Sequence, residues 1–171
     1  KKQLGFEYQK LIALEYCLNA KSGEYVYIEC FGDVHAENSS VEVKHHLGST
    51  KLTSNSVDVW KTLKNLAKEY EKVKANDRFL LHTTQEIKFD CIFDGWNNQK
   101  DRAKLRRLKD HEVSDSCKEF KDEIFDKAVI APKDLLVLLS KFNIDSGAPN
   151  IDEKYDQLCG HPTFTVVPEN L

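Results

Sequence analysis

The chain has 171 residues, with 25 basic and 28 acidic side chains and a formal charge of −3. Length and composition suit one globular domain and exclude a disordered or collagen-like chain. The charge argues against a protein that binds nucleic acid through bulk positive charge, though it leaves room for a local basic patch. No apolar run reaches the ~18–20 residues of a membrane span, and no secretory signal is visible. The opening Lys1-Lys2-Gln3 lacks an initiator Met, so the chain is expected to be a piece of a longer one. Cys17, Cys30, Cys91, Cys117 and Cys159 are odd in number, widely spaced and without C-x-x-C. Free buried thiols in a reducing cytoplasm are expected rather than disulfides or a zinc site. Cys159-Gly160-His161 alone falls short of the four ligands of structural zinc.

The first predicted element is a helix over residues 4–20, stopped near Gly23. At ~100° per residue, Phe6, Ile12, Ala13 and Tyr16 form one arc with Gln9 in its middle. Glu7 falls on another side with Lys10 and Leu14. A polar amide on an apolar face needs a partner. Residues 24–31 read as a strand that Gly32-Asp33 interrupts and that 34–37 continue briefly. After a turn at 37–40, residues 40–46 form a second strand with period-two alternation, so 24–46 read as a hairpin or meander. A polar loop follows. Ser56 is placed to cap a helix reaching about Lys74, with Val57, Trp60, Leu63, Ala67 and Tyr70 as its apolar stripe and Trp60 as a core anchor. Residues 77–84 are a third strand with a buried centre. A crossover helix between strands implies a mixed sheet flanked by helices.

The second half is less regular. Residues 89–97 fit a short strand or a helix edge. Lys100–Lys109 holds six basic residues and one acid, and Lys104, Arg106 and Arg107 within it are candidate phosphate contacts. A helix over 112–128 turns Cys117, Phe120, Ile124 and Phe125 inward. Pro132 opens another, which Ser146-Gly147-Ala148-Pro149 ends. A short helix at 152–158 and an extended tail close the chain.

Asp33, Glu42 and Lys44 carry the chemistry. Glu42 and Lys44 are two apart on a strand and share a face, while Val41 and Val43 take the other. Such an acid and base can simply be the wet side of a half-buried strand. Asp33, however, ends the preceding strand at a glycine, and only eight residues separate it from Glu42. Two carboxylates, a backbone carbonyl and waters suit Mg²⁺. An ammonium beside them can neutralise charge on an attacked phosphate, or help position and deprotonate water.

Asp33…Glu42-Val43-Lys44, after a helix and before a helix and strand, resembles the PD-(D/E)XK nuclease superfamily. One branch is closer, the N-terminal effector nuclease of bacterial anti-phage proteins, fused to a cyclic-oligonucleotide sensor (SAVED) or a STAND-type ATPase. Gly5-Phe6-Glu7-Tyr8-Gln9 is similar to its G-x-x-x-Q start. Ile28-Glu29 with Gly32-Asp33-Val34 is similar to its second motif, Val41 to His45 to its v-(Q/E)-v-K-h strand, and Trp60 with Leu63 to its W-x-x-L. Gly32 stands where the wider pattern has Pro, and Glu42 where the branch often has Gln. The match spans about residues 5–84.

The resemblance implies a restriction-endonuclease-like α/β fold: a mixed central sheet flanked by helices, with a core at about 4–84 and extra C-terminal helices at about 100–171 in one domain. It implies an Mg²⁺-dependent deoxyribonuclease, with Mn²⁺ as a substitute, that cuts double-stranded DNA and assembles as a homo-oligomer through itself or a fused domain. Asp33 and Glu42 would be metal ligands, the Val43 carbonyl a third, Lys44 the catalytic lysine and Gln9 a support. Glu7 and Glu29 are alternative carboxylates. His45, His46 and His35 are candidates for proton transfer or DNA contact, or merely strand-end residues. A non-catalytic docking or oligomerisation module and an RNase are the alternative readings.

Overall fold

The computed structural model describes residues 2–29, 33–36 and 38–165. The chain folds as an α/β protein around a five-stranded mixed sheet. Helix α1 (Lys2–Asn19) leads into β1 (Val26–Ile28), β2 (Val34–Ala36) and β3 (Ser39–Lys44). These three strands form an antiparallel meander in which Tyr27 faces His35 and Val34 faces Val41. Residues 34–36 therefore turn back beside β1 rather than prolonging it, as the sequence had suggested. Asn38 takes positive φ (58°) at the turn before β3, which an Asn accepts more readily than most residues.

Helix α2 (Val57–Lys68) and the short α3 (Tyr70–Val73) carry the chain across the sheet to β4 (Arg78–Thr83), parallel to β3. The predicted single helix to Lys74 is thus interrupted at Glu69, yet Tyr70 and Val73 stay buried. Ser56 occupies the cap position without capping. Its Oγ accepts the Thr53 N–H at 2.7 Å instead. Val57 is exposed, while Val59, Trp60, Leu63 and Ala67 form the buried stripe. Trp60 is the expected core anchor, fully buried, with Nε1 donating to Ser54 O at 2.9 Å.

Residues 89–95 form turns, neither strand nor helix edge, and lead to a 3₁₀ turn at Trp96–Asn98. Helices α4 (Asp101–Asp110), α5 (Asp115–Phe125) and α6 (Pro132–Lys141) follow, then β5 (Phe142–Asp145), α7 (Ile151–Cys159) and α8 (Pro162–Thr165). Strand β5 is unexpected from sequence. It starts at the residue after α6, so no turn signal separates them, and it pairs parallel to β4. Residues 146–149 form the loop after β5 rather than the end of the helix. Helix α7 starts at a capping box between Asn150 and Glu153.

The sheet order is β1-β2-β3-β4-β5, and its two faces are covered unequally. The larger core joins Phe79, Leu81, Phe142 and Ile144 of the sheet to α2 and α4–α6. The smaller one joins Val34, Val41, Val43 and Leu80 to Tyr8, Ile12 and Ala13 of α1. The buried side of α1 is therefore centred on Tyr8 and Ile12. Phe6, assigned to that side by the helical wheel, is 47% exposed under the Lys10 ammonium. Cys91 and Cys117 are buried thiols, Cys17 and Cys159 are exposed, and Cys30 lies outside the described residues. No helix among the described residues is long and apolar enough to cross a membrane.

Candidate active site at the β2–β3 junction

Strand β3 alternates as its sequence dictates. Val41 and Val43 pack beneath α1. Glu42 pairs in register with Leu81, which belongs to the core under α2, so Glu42 and Lys44 face the α2 side. The Lys44 Nζ donates to Glu42 Oε1 at 2.6 Å, with both side chains about a quarter exposed.

Asp33 stands one residue before the first paired position of β2. The β2–β3 pairing ends at Val34 and Val41, so the Val43 N–H lies beyond it. Asp33 Oδ2 accepts that N–H at 2.6 Å. The Gln9 amide also hydrogen-bonds the Asp33 carboxylate. Its place on the buried side of α1 is thereby explained: the helix reaches from one face of the sheet to a carboxylate at the end of a strand. Four of the residues singled out from sequence, Gln9, Asp33, Glu42 and Lys44, thus form one connected group. Val43 contributes its N–H to Asp33.

Burial raises the Asp33 carboxyl above its ordinary range, and the Glu42 charge raises it further. The Val43 N–H, Lys44 and Gln9 pull the other way without prevailing. Burial disfavours the Lys44 ammonium, but Glu42, Asp33 and Asp58 outweigh it and hold the lysine above its ordinary value. Lys44 is therefore a cation in this setting, suited to charge stabilisation more than to taking a proton. Asp58 escaped the sequence reading. It lies in the first turn of α2 and holds His46 Nε2 at 2.7 Å. An acid at the second position of a helix was the available signal.

The donor set fits a hard divalent cation. Two carboxylates converge, and one is destabilised by the other's charge, which is the repulsion that a bound cation relieves. Among the described residues there is no group of three or more His, Cys, Asp or Glu side chains placed to hold a metal. A cation here would rest on the two carboxylates, backbone oxygen and water.

Other candidates fall elsewhere. Glu7 pairs with Lys10 on the exposed side of α1. Glu29 is exposed with positive φ (57°), and its N–H donates to Asp33 O, so strand parity does not carry it to the carboxylates. His45 turns to the α1 side against Tyr8, ring centroids 4.7 Å apart, away from Glu42 and Lys44. Lys104 is 2% exposed and donates to Leu139 O and Phe142 O at 3.1 and 2.7 Å. It is a structural lysine and not a phosphate contact, because its ammonium is buried and turned to two carbonyls inside the fold. Arg107 is half-buried, with Nη1 on Ile92 O and Asp94 O, and only Arg106 of the three stands exposed.

A second polar relay lies on the α1 face. His82 Nδ1 meets Asp145 Oδ2 at 2.7 Å and its Nε2 meets the Tyr8 hydroxyl at 3.2 Å, while that hydroxyl donates to Pro149 O at 2.7 Å. It ties α1 to β4, β5 and the loop before α7. No protein-family model, characterised protein or solved structure matches this chain.

Proposed function

We propose that the chain is a metal-dependent phosphodiester hydrolase, an endonuclease acting on DNA, with its centre at Asp33, Glu42 and Lys44. The observation that carries the reading is the convergence of two carboxylates and an ammonium at the β2–β3 junction, with Gln9 and the Val43 N–H supporting Asp33. The sequence resemblance to PD-(D/E)XK nucleases agrees with it.

In this reading Asp33 and Glu42 hold Mg²⁺. When bound, the ion supplies a Lewis acid to a phosphoryl oxygen and lowers the pKa of its water. Lys44 places fixed positive charge where the phosphorane gathers negative charge. Gln9 and the Val43 N–H fix the direction of the Asp33 carboxylate, as partners of metal ligands generally do. A water oxygen bonds to phosphorus as the bond from phosphorus to the leaving sugar oxygen breaks, and a proton ends on that oxygen. By the same resemblance, the domain serves as the effector of an anti-phage protein, kept inactive until a sensor brings copies together.

The test is cleavage of supercoiled plasmid by the full-length protein with its activating ligand, with and without Mg²⁺. Metal-dependent nicking that Asp33→Ala and Lys44→Ala abolish is expected. Nicking unchanged in either variant overturns the assignment. Titration calorimetry with Mn²⁺ separates this from a non-catalytic module, in which no heat would depend on Asp33 and Glu42.

A further inference from the structure

The same sheet face that carries Glu42 and Lys44 has a second feature beside them. In the antiparallel register Tyr27 lies opposite His35, and His35 opposite Ser40. Residues directly opposite share a face, and Ser40 and Glu42 share theirs by strand parity. A row therefore runs across β1, β2 and β3 on the α2 side, next to the acid pair. Tyr27 is 49% exposed, with its ring centroid 5.9 Å from that of His35. Tyr25 extends the row outward, its ring 6.3 Å from Tyr27. Inward, the row meets a cleft of ≈ 330 Å³ between β3 and α2, lined by Ser40, Glu42, Thr62 and Asn65 among others. That volume is at the lower end of small-ligand sites, roughly 300–1,000 Å³. Thr62 is 4% exposed, and among the described residues its hydroxyl has no hydrogen-bond partner. A buried hydroxyl without a partner is costly unless something else satisfies it.

We propose that this face binds an unpaired nucleotide beside the scissile phosphate. Its base stacks on Tyr27 and His35, and its polar groups are met in the cleft by Thr62 and Asn65. The inference rests on the nuclease reading and narrows its substrate: the strand that is cut is single-stranded or locally opened at the cut, not regular duplex. Exposed aromatic rings beside a polar groove are how proteins hold unstacked bases, because every base offers a π-face. A duplex presents its phosphates and keeps its bases covered, so it has no use for such a row.

The experiment measures binding by the full chain carrying Lys44→Ala, in Mg²⁺. The probes are a short single-stranded oligodeoxynucleotide containing 2-aminopurine, the same strand in duplex, and an abasic strand of equal length. The single strand should bind about tenfold or more tighter than either control, with quenching of 2-aminopurine fluorescence. Tyr27→Ala should cost about tenfold and remove the quenching. Tyr27→Phe should keep both, and the remote exposed aromatic change Phe89→Ala should alter neither. Duplex or abasic strand bound as tightly as the intact single strand overturns the proposal, as does an unaltered affinity in Tyr27→Ala. Plasmid cleavage that survives Asp33→Asn overturns the hydrolase reading instead, and with it the substrate role of this face. Because that result comes from catalysis and not from binding, the two failures are distinguishable.

Discussion

The Asp33 carboxylate takes the place of a strand partner for Val43, accepting its N–H at 2.6 Å where the β2–β3 pairing has ended. One side chain thus both finishes a ladder and serves the candidate site. The two roles can be separated. Asp33→Asn keeps an oxygen acceptor for the Val43 N–H but loses the charge. Its urea midpoint should stay close to that of the wild type, within about 0.5–1 kcal/mol. Metal-dependent cleavage should fall by more than the roughly 10–100-fold expected for loss of a supporting partner. Asp33→Ala should lose both cleavage and stability.

Gln9 is such a supporting partner. Gln9→Leu should weaken Mn²⁺ binding or cleavage by roughly 10–100-fold and leave the fold intact, since the position is only half-buried. Calorimetric titration against the wild type measures it. Glu7→Gln, on the exposed side of the same helix, should change nothing in that assay.

Lys44→Ala should lower cleavage by about 10²–10³, the scale of losing one fixed donor to transition-state charge. Substrate binding should change far less. Single-turnover rates at saturating DNA separate these effects, and a loss confined to affinity would place Lys44 outside the chemistry.

Lys104 and Arg106 lie two residues apart on α4 and should behave in opposite ways. Lys104→Ala removes two charge-assisted bonds to buried carbonyls and a cation held 5.2 Å above the Trp96 ring. It should destabilise the protein by about 2–4 kcal/mol, read from denaturant unfolding. Arg106→Ala should leave stability within about 0.5 kcal/mol. If Arg106 touches a phosphate, its loss should flatten the salt dependence of duplex binding by ~0.9 log unit per log salt.

Asp145 supplies a pH test remote from the carboxylate pair. Its hydrogen bond to His82 holds its carboxyl below the ordinary range, against the effect of burial. A depressed folded value means a contribution fully present above the unfolded carboxylate pKa of ~3.9. That contribution is lost as pH falls through the folded value. Asp145 is partly exposed, so the term is under about 1 kcal/mol. Urea midpoints of Asp145→Asn and wild type should differ at pH 7, and the difference should shrink as pH falls below the unfolded carboxylate value of ~3.9.

Much of the site was readable because its elements obey local rules. Period two put Glu42 and Lys44 on one face, and the short span from Asp33 to Glu42 let their carboxylates be matched, although Asp33, expected to end the first strand, stands instead just before β2. The helical wheel pointed Gln9 inward. The same wheel turned Phe6 inward, and Tyr8, which it did not single out, takes the buried place. Both are large and apolar by one part of the ring, and only the position of the sheet, and of His82 and Pro149 behind Tyr8, decides which is buried. Lys104 read as a candidate phosphate contact because it sits in a run of basic residues. Its burial depends on carbonyls left at the end of α6 and in β5, about 35 residues away in the chain, which no window around α4 contains. Strand β5 was hidden for a related reason: four residues that continue an apolar helical pattern become a strand only because β4 offers an open edge.

The lopsided distribution of buried apolar side chains between the faces has a consequence for motion. α1 and the meander rest on the lesser cluster, and elements with fewer buried contacts open at lower free energy. Amide exchange should therefore reach Gln9 and β2 well before it reaches α2 or α6. A brief lifting of that flank would scatter the acid pair while the rest of the molecule keeps its shape. Tyr8, adjacent to Gln9 and tethered to Pro149, is the latch that such an excursion must first release.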